Sequence, residues 1–231
     1  MKLNKLILGL DQSSYQPVGD YLIHPDALES FLKLRELCAN EGFDLCLTSS
    51  FRSFEAQKRI WNAKAQGKRA LLDDQGNPID FTKLNNREIV YAILRWSALP
   101  GMSRHHWGTD LDVYDKFSLP SPDYNIQLTP EEVAPEGIFG KLHLFLDKII
   151  EENKSFGFYR PYKEDLGGVA PEKWHLSHHP TSSLLLEELN FDFFSEFINS
   201  QDPNDFELID IVIEYAKEIY ENYVINVHRD Y

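Results

Sequence analysis

Apolar and polar positions alternate along the chain in a way that divides it into short elements. After His24, Pro25 and Asp26, apolar residues at 28, 31, 32, 34, 37 and 38 share one face of an expected helix, with Asp26 as N-cap and Gly42 as the stop. "FDLCLTSSF" (43–51) alternates as a strand. "RSFEAQKRIWNAKAQG" (52–67) reads as a second helix, with Phe54, Ile60 and Trp61 turned to the core, and "NREIVYAILRWSAL" (86–99) as a third, closed by Pro100 and Gly101. In "LDVYD" (111–115), Leu111 and Val113 face one way, and Asp110 and Asp112 the other, as on a strand with a polar face. "FGKLHLFLDKIIEENKSFG" (139–157) gives a fourth helix with apolar positions at 142, 145, 146, 149 and 150. "FGFYRP" and "EKWHLSHH" read as short strands or turns around Gly167 and Gly168, and 183–198 and 205–225 as closing helices. Residues 118–138 contain four prolines and little periodicity, the pattern of a long surface excursion, which in a compact domain is more often functional than idle.

These elements predict an α+β protein, one domain over 1–231 with a core near 20–180 and a C-terminal helical extension near 181–231. The apolar run Leu6 to Leu10 is cut short by Asp11, below the roughly 7–15 apolar residues of a signal core. Residues 5–10 are therefore expected to form a strand. No stretch approaches the roughly 20 apolar residues of a membrane span, so a cytoplasmic location is expected, a periplasmic one requiring another export route.

Composition narrows the partners. With 42% hydrophobic and 26% charged residues, the chain has the make-up of an ordinary globular protein. A net charge of −14 argues against a nucleic-acid phosphate backbone and against an anionic membrane surface, both of which need a basic face. The high aromatic share, 13%, suits a well-filled core or an aromatic-walled groove. Cys38 and Cys46, the only cysteines, fall on an apolar helix face and in an apolar strand, and read as reduced thiols rather than a disulfide framework.

The chemistry concentrates in "SRHHWGTDLDVYD" (103–115). His105 and Asp112 supply an imidazole nitrogen and a carboxylate oxygen, the donor types of a zinc site. A catalytic zinc takes three protein ligands and keeps one position open, so a third ligand and a base are to be sought elsewhere. "PEKWHLSHH" (171–179) offers both: Glu172 and His175, three residues apart, point to one spot across a single turn. His175 would complete the ligand set and Glu172 would take a proton from water.

Three segments carry a resemblance. "SRHHWGTDLD" fits S-x-H-x-x-G-x-A-x-D, "EKWH" fits E-x-W-H, and "SSFRSFEAQ" resembles S-G-Y-R-S-x-x-x-Q. In this order, over about residues 43 to 180, they resemble the zinc D-alanyl-D-alanine carboxypeptidases of the VanY type, which share a fold group with VanX-type dipeptidases and the Hedgehog N-terminal domain. The resemblance implies a small central antiparallel sheet flanked by helices, a zinc ion (Zn2+) held by His105, Asp112 and His175, and Glu172 as general base. It implies that Arg52 stabilises the oxyanion or grips the substrate carboxylate, and that Ser103 and Gln57 line or support the site. "GFYRPY" resembles the family's G-F-x-x-R-Y run, which would bring Arg160 near the pocket.

The sequence departs from the family pattern at Asp110, where the family has a small residue, and at Ser50 and Phe51 in place of Gly and Tyr. Asp110 would support a ligand histidine or contact substrate rather than compete as a ligand. His106, His178 and His179 are expected to turn away. His24, His143 and His228 read as helix-associated, and Trp107 and Trp174 as wall or core residues. Gly108 would allow the tight path between the ligands.

The implied activity is removal of terminal D-alanine from peptidoglycan stem peptides. The family range leaves L,D-carboxypeptidase action on tetrapeptides, D-Ala-D-Ala dipeptidase action and endolysin-like cleavage as alternatives, and a Hedgehog-like zinc-containing binding module as the non-enzymatic one. Substrate preference would lie in 118–138 and 181–231, and oligomeric state is left open.

Overall fold

The computed structural model describes residues 2–229. It begins with helix α1 (Lys2–Ile7) and a hairpin of β1 (Gln16–Val18) and β2 (Tyr21–Ile23). Helix α2 (Pro25–Asn40), β3 (Leu45–Ser49), α3 (Phe54–Ala65), α4 (Asn86–Trp96) and β4 (Asp110–Asp115) follow. Then come α5 (Pro130–Val133), α6 (Gly140–Glu151), β5 (Phe158–Tyr159) and β6 (His175–His178). The chain closes with α7 (His179–Glu188), α8 (Phe191–Asn199), α9 (Ile209–Glu214), α10 (Ala216–Ile219) and a π-helical turn at Tyr220–Val224. The main sheet is antiparallel throughout, in the order β3-β4-β6-β5.

Strand periodicity gives this sheet two unlike faces. Leu45, Leu47, Leu111, Val113, Phe158 and Leu176 turn to one side and pack against Phe31 and Leu34 of α2 and Leu142, Leu146 and Ile149 of α6. Asp110, Asp112, His175 and Ser177 alternate with them and occupy the other side, buried all the same. A second apolar cluster joins Ile7, Trp61 and Trp107 to α4 and to the closing helices through Phe194, Phe206, Val212 and Ile219. The predicted polar strand face is therefore a buried layer between two apolar clusters.

Several expectations are corrected. Residues 5–10 do not form a strand: α1 runs to Ile7, Gly9 turns the chain at φ +69°, and Ile7 is buried in the second cluster. A short apolar run looks the same in either conformation, and here packing chose the helix. The N-cap of α2 is His24, whose Nδ1 accepts from the Asp26 amide at 3.2 Å, because Pro25 takes the first helical position and sets the cap two residues before Asp26. Ile60 is half-buried, Phe54 and Trp61 fully so. The 183–198 segment is two helices broken at Asn190, which caps α8. The 118–138 excursion contains α5, fixed by a Thr129/Glu132 capping box.

Candidate metal centre

The register of β4 against β6 sets Asp112 opposite His175 and Asp110 opposite Ser177. His105 reaches the same place from a 3-10 turn (Arg104–Trp107) that ends at Gly108 in the left-handed region, φ +64°. Gly108 is required there. Its carbonyl accepts from the His24 amide at 2.8 Å, and an added Cβ would sit 3.1 Å from that nitrogen.

One donor atom from each of His105, Asp112 and His175 falls within a 4.8 Å cluster. His105 Nε2 lies 3.3 Å from Asp112 Oδ2, and His175 Nδ1 lies 3.2 Å from Asp112 Oδ1. Hydrogen bonds fix which nitrogen of each ring is free. His105 Nδ1 lies 3.0 Å from the Ser50 carbonyl and donates to it, leaving the Nε2 lone pair for the cluster. His175 Nε2 lies 2.9 Å from Asp110 Oδ1 and donates to it, leaving Nδ1 for the cluster. Asp112 Oδ1 and His175 Nδ1 are close, but neither has a partner at hydrogen-bonding geometry, and both are buried. Orphaned acceptors that converge at one point, backed by ring N–H groups donating outward, are what a zinc ion requires. The residues fit the metal.

The electrostatics agree. Burial alone would lower the pKa of His175, but the hydrogen bond to Asp110 and the charges of Asp112 and Asp110 push it up to about 10. Two buried carboxylates thus draw positive charge to this point, and a divalent cation would answer the same pull.

Asp110 resolves one of the two readings left open for it. It has no solvent exposure, so it does not reach substrate. Its Oδ1 takes Arg104 Nε at 2.7 Å as well as His175, and its Oδ2 takes the Thr109 hydroxyl at 2.7 Å. Burial works against its charge, yet Arg104 and His175 hold it down to about 2. Arg104 is fastened in turn to Ser177 and Tyr159 and lies 4.8 Å from the Trp107 ring. The sequence reading passed over Arg104. Its signal was available, since a charge at the family's small position needs a counter-charge nearby.

A small cavity of about 90 Å³ opens over the cluster. Its lining includes Arg52, Ser103 and Glu172, as expected, Trp174, for which wall and core were both open, and Ser97 and Tyr162, which were not expected. Glu172 Oε2 lies 3.6 Å from His175 Nδ1. Burial pushes its carboxyl up to about 7, with Asp112 adding to the rise and His175, Arg52 and Lys64 opposing it. That range suits a group that exchanges a proton near neutral pH. Arg52 leaves the end of β3 and donates to Gln57 Oε1 at 2.9 Å and Ser49 Oγ at 2.8 Å. Gln57 donates in turn to the Ala98 carbonyl at 2.7 Å, and so supports the site without lining it. Tyr162 meets the His175 ring edge-on at 5.1 Å between centroids.

Arg160 is a correction. It lies away from the cavity, on Asp147 of α6 at 2.7 Å and beside His143. Strand parity explains this: Phe158 packs toward α6 and Arg160 follows it, while Tyr159 turns to Arg104. Of the sequence GFYRPY, Tyr162 and not Arg160 borders the site. His106 is not extended but sits in the 3-10 turn, accepting from the Gly101 amide and donating to the Arg52 carbonyl. His178 bonds Thr181 and Ser30, and His179 packs on the Tyr159 ring. Trp107 belongs to the core and Trp174 to the cavity wall. Cys38 is buried and Cys46 half-buried, both free thiols.

A buried His-Asp-His cluster at the polar face of a small antiparallel sheet, with a carboxylate and an arginine beside it, is a candidate metal centre. The chain belongs to the VanY D-alanyl-D-alanine carboxypeptidase family, whose model matches residues 20–181. VanYB in complex with D-Ala-D-Ala shares its fold at a TM-score of 0.51 and 17% identity, over 81% of this chain and 89% of that one. A mutant of the vancomycin-resistance D,D-pentapeptidase VanY in complex with Zn(II) does so at 0.50 and 19%, over 76% and 89%. Two uncharacterized proteins of Haemophilus influenzae are also similar. One is 41% identical over 35% of this chain and spans 56% of its own length, the other 31% identical over 53% and 90%.

Proposed function

We propose that the protein is a zinc-dependent carboxypeptidase that removes a terminal D-alanine from peptidoglycan stem peptides. His105, Asp112 and His175 would hold the metal, and Asp110 would orient His175. The observation that carries this reading is the convergence of orphaned ligand atoms beside a carboxyl poised near neutral pH. Zinc, when bound, polarises a carbonyl and acidifies water. Glu172 takes the proton from the attacking water and returns it to the leaving amine. Arg52, braced by Gln57 and Ser49, presents its remaining N–H groups to the substrate's charge, either the developing oxyanion or the terminal carboxylate. Ser103 and Tyr162 shape the wall. The substrate end is compact and anionic, which suits a small cavity lined by a cation inside an acidic protein.

The test is incubation of purified protein with muramyl pentapeptide, muramyl tetrapeptide and free D-Ala-D-Ala, with and without a chelator, read by mass spectrometry. Loss of one alanine from the pentapeptide, abolished by chelation, is the expected result. Loss from the tetrapeptide alone would make it an L,D-enzyme, and cleavage of the free dipeptide alone a dipeptidase. No mass loss from any of the three would replace the enzyme with a zinc-containing binding module.

A further inference from the structure

Gln57 and Lys64 lie seven residues apart in α3, two turns along one face, and both reach the segment that follows α4. Gln57 ties Arg52 to the Ala98 carbonyl. Lys64 Nζ donates to Ser97 Oγ at 2.7 Å, and Ser97 lines the cavity beside Arg52. A lysine ammonium carries only donors, so this bond uses the hydroxyl's acceptor side and leaves the Ser97 proton to be given elsewhere. Among the described residues no acceptor takes it, and no carboxylate lies within ion-pair distance of Lys64. Burial and Arg69, then Arg52, lower the Lys64 ammonium to about 8 against the opposing charge of Glu172, so its charge is held at a cost that an arriving anion would relieve further. A half-buried cation with no carboxylate at ion-pair distance, and Glu172 acting on it only from farther off, leaves room for an anionic ligand.

We infer that the Ser97 hydroxyl, held in its donor orientation by Lys64, is a second arm that grips the free carboxylate at the substrate's end, next to Arg52. Ser97 is a specificity-determining residue and Lys64 a positioning residue that acts through it. This rests on the carboxypeptidase reading and adds to it a means of rejecting peptides with a blocked C-terminus.

The test is calorimetric titration of zinc-loaded Glu172→Gln protein, which retains the cavity without turnover. The probes are an N-acetyl peptide ending in D-Ala-D-Ala, as free acid and as C-terminal amide. The acid is expected to bind at least about tenfold tighter than the amide, the worth of a hydrogen bond to a charged group. Adding Ser97→Ala or Lys64→Met should weaken the acid by about tenfold and leave the amide unchanged. Ser97→Thr and Lys64→Arg, which restore the hydroxyl or the charge, should keep most of the preference and show that the losses are not misfolding. With Glu172 intact, Ser97→Ala should raise KM while kcat holds within about twofold, as for uniform binding. Equal binding of acid and amide, or equal weakening of both by Ser97→Ala, overturns the inference. If the acid preference depends on Ser97 but the protein with Glu172 intact cleaves nothing, the carboxypeptidase reading falls and the anion site stands. If the peptide is cleaved and Ser97→Ala changes nothing, the anion site falls alone.

Discussion

The molecule buries two clusters that each contain histidine, aspartate and arginine, and only one of them is built for a metal. In the first, Asp110, Asp112, His105, His175 and Arg104 set two carboxylates against one permanent cation, and the unpartnered atoms that meet at one point are Asp112 Oδ1 and His175 Nδ1, while the unpartnered Arg104 Nη1 belongs to the guanidinium bound to Asp110. In the second, on α6, Arg160 and Lys173 share the single carboxylate of Asp147 at 2.7 and 3.1 Å. There Arg160 donates to His143 Nδ1, so the atoms left over are N–H groups, His143 Nε2 and Arg160 Nη1. Burial, then Arg160 and Lys173, hold His143 well below its ordinary pKa. The difference teaches that residue types do not make a metal site: the surplus of negative charge and the direction of the lone pairs do.

The comparison can be broken in four places. The largest effect is on the metal. His175→Ala or Asp112→Ala should reduce zinc binding beyond the ~100-fold that loss of a supporting partner costs, while His143→Ala leaves one zinc per chain in a chelator competition. Loss of stoichiometric zinc from His143→Ala would erase the distinction. Next, Arg104→Met strands a fully buried Asp110 and should cost about 3–5 kcal/mol in urea unfolding. Arg160→Met should cost less, about 1–3 kcal/mol, because Asp147 keeps Lys173 and some water. Equal losses would show that the two carboxylates are equally dependent on arginine. Third, Asp110→Asn keeps an acceptor for His175 but removes its charge, and should weaken zinc by about 10–100-fold with little change at the α6 cluster. Unchanged zinc affinity would leave Asp110 a purely structural partner of Arg104.

The smallest expected effect is on pH dependence without metal. The folded pKa of His175 is raised, so its contribution is complete below the unfolded value near 6.5 and drains away as pH rises toward about 10. The urea midpoint of metal-free protein should therefore fall between pH 6.5 and 10, and His175→Gln should flatten that slope. His143 is neutral in the folded state, and above about 6.5 in the unfolded one as well, so His143→Gln should leave the slope intact. A slope that survives His175→Gln would assign the proton elsewhere.

The sheet, and the gathering of His105, Asp112, His175 and Glu172, could be read from short segments with fixed spacing, while Arg52 followed from the family resemblance, and all five residues line one cavity. Trp107 and Ser97 could not, since nothing local says whether a residue after a turn faces core or cavity. Arg160 was misplaced for a related reason. The family run located the strand, but the side chain's direction depended on the parity of a two-residue strand whose register only the sheet supplies. The strand expected at residues 5–10 failed because the run is too short for period to decide, and Ile7 found its burial against helices rather than a neighbouring strand. Lys64 carries no motif at all, and its meaning appears only when α3 and Ser97 are seen side by side.

The glycine loop before Glu172 ties the cavity to residues far along the chain. An added Cβ at Gly168 would sit 1.8 Å from the Asn222 carbonyl, Asn226 donates to the Leu166 carbonyl at 2.9 Å, and the His228 amide donates to Pro161 at 3.0 Å. Residues from beyond the family match, which ends at 181, thus clasp the stretch that leads to Val169 and Glu172 in the cavity. Shortening or loosening the stretch from Asn222 onward should therefore be felt at the cavity wall through Val169, and not only in the apolar cluster that Val224 and Val227 help to fill.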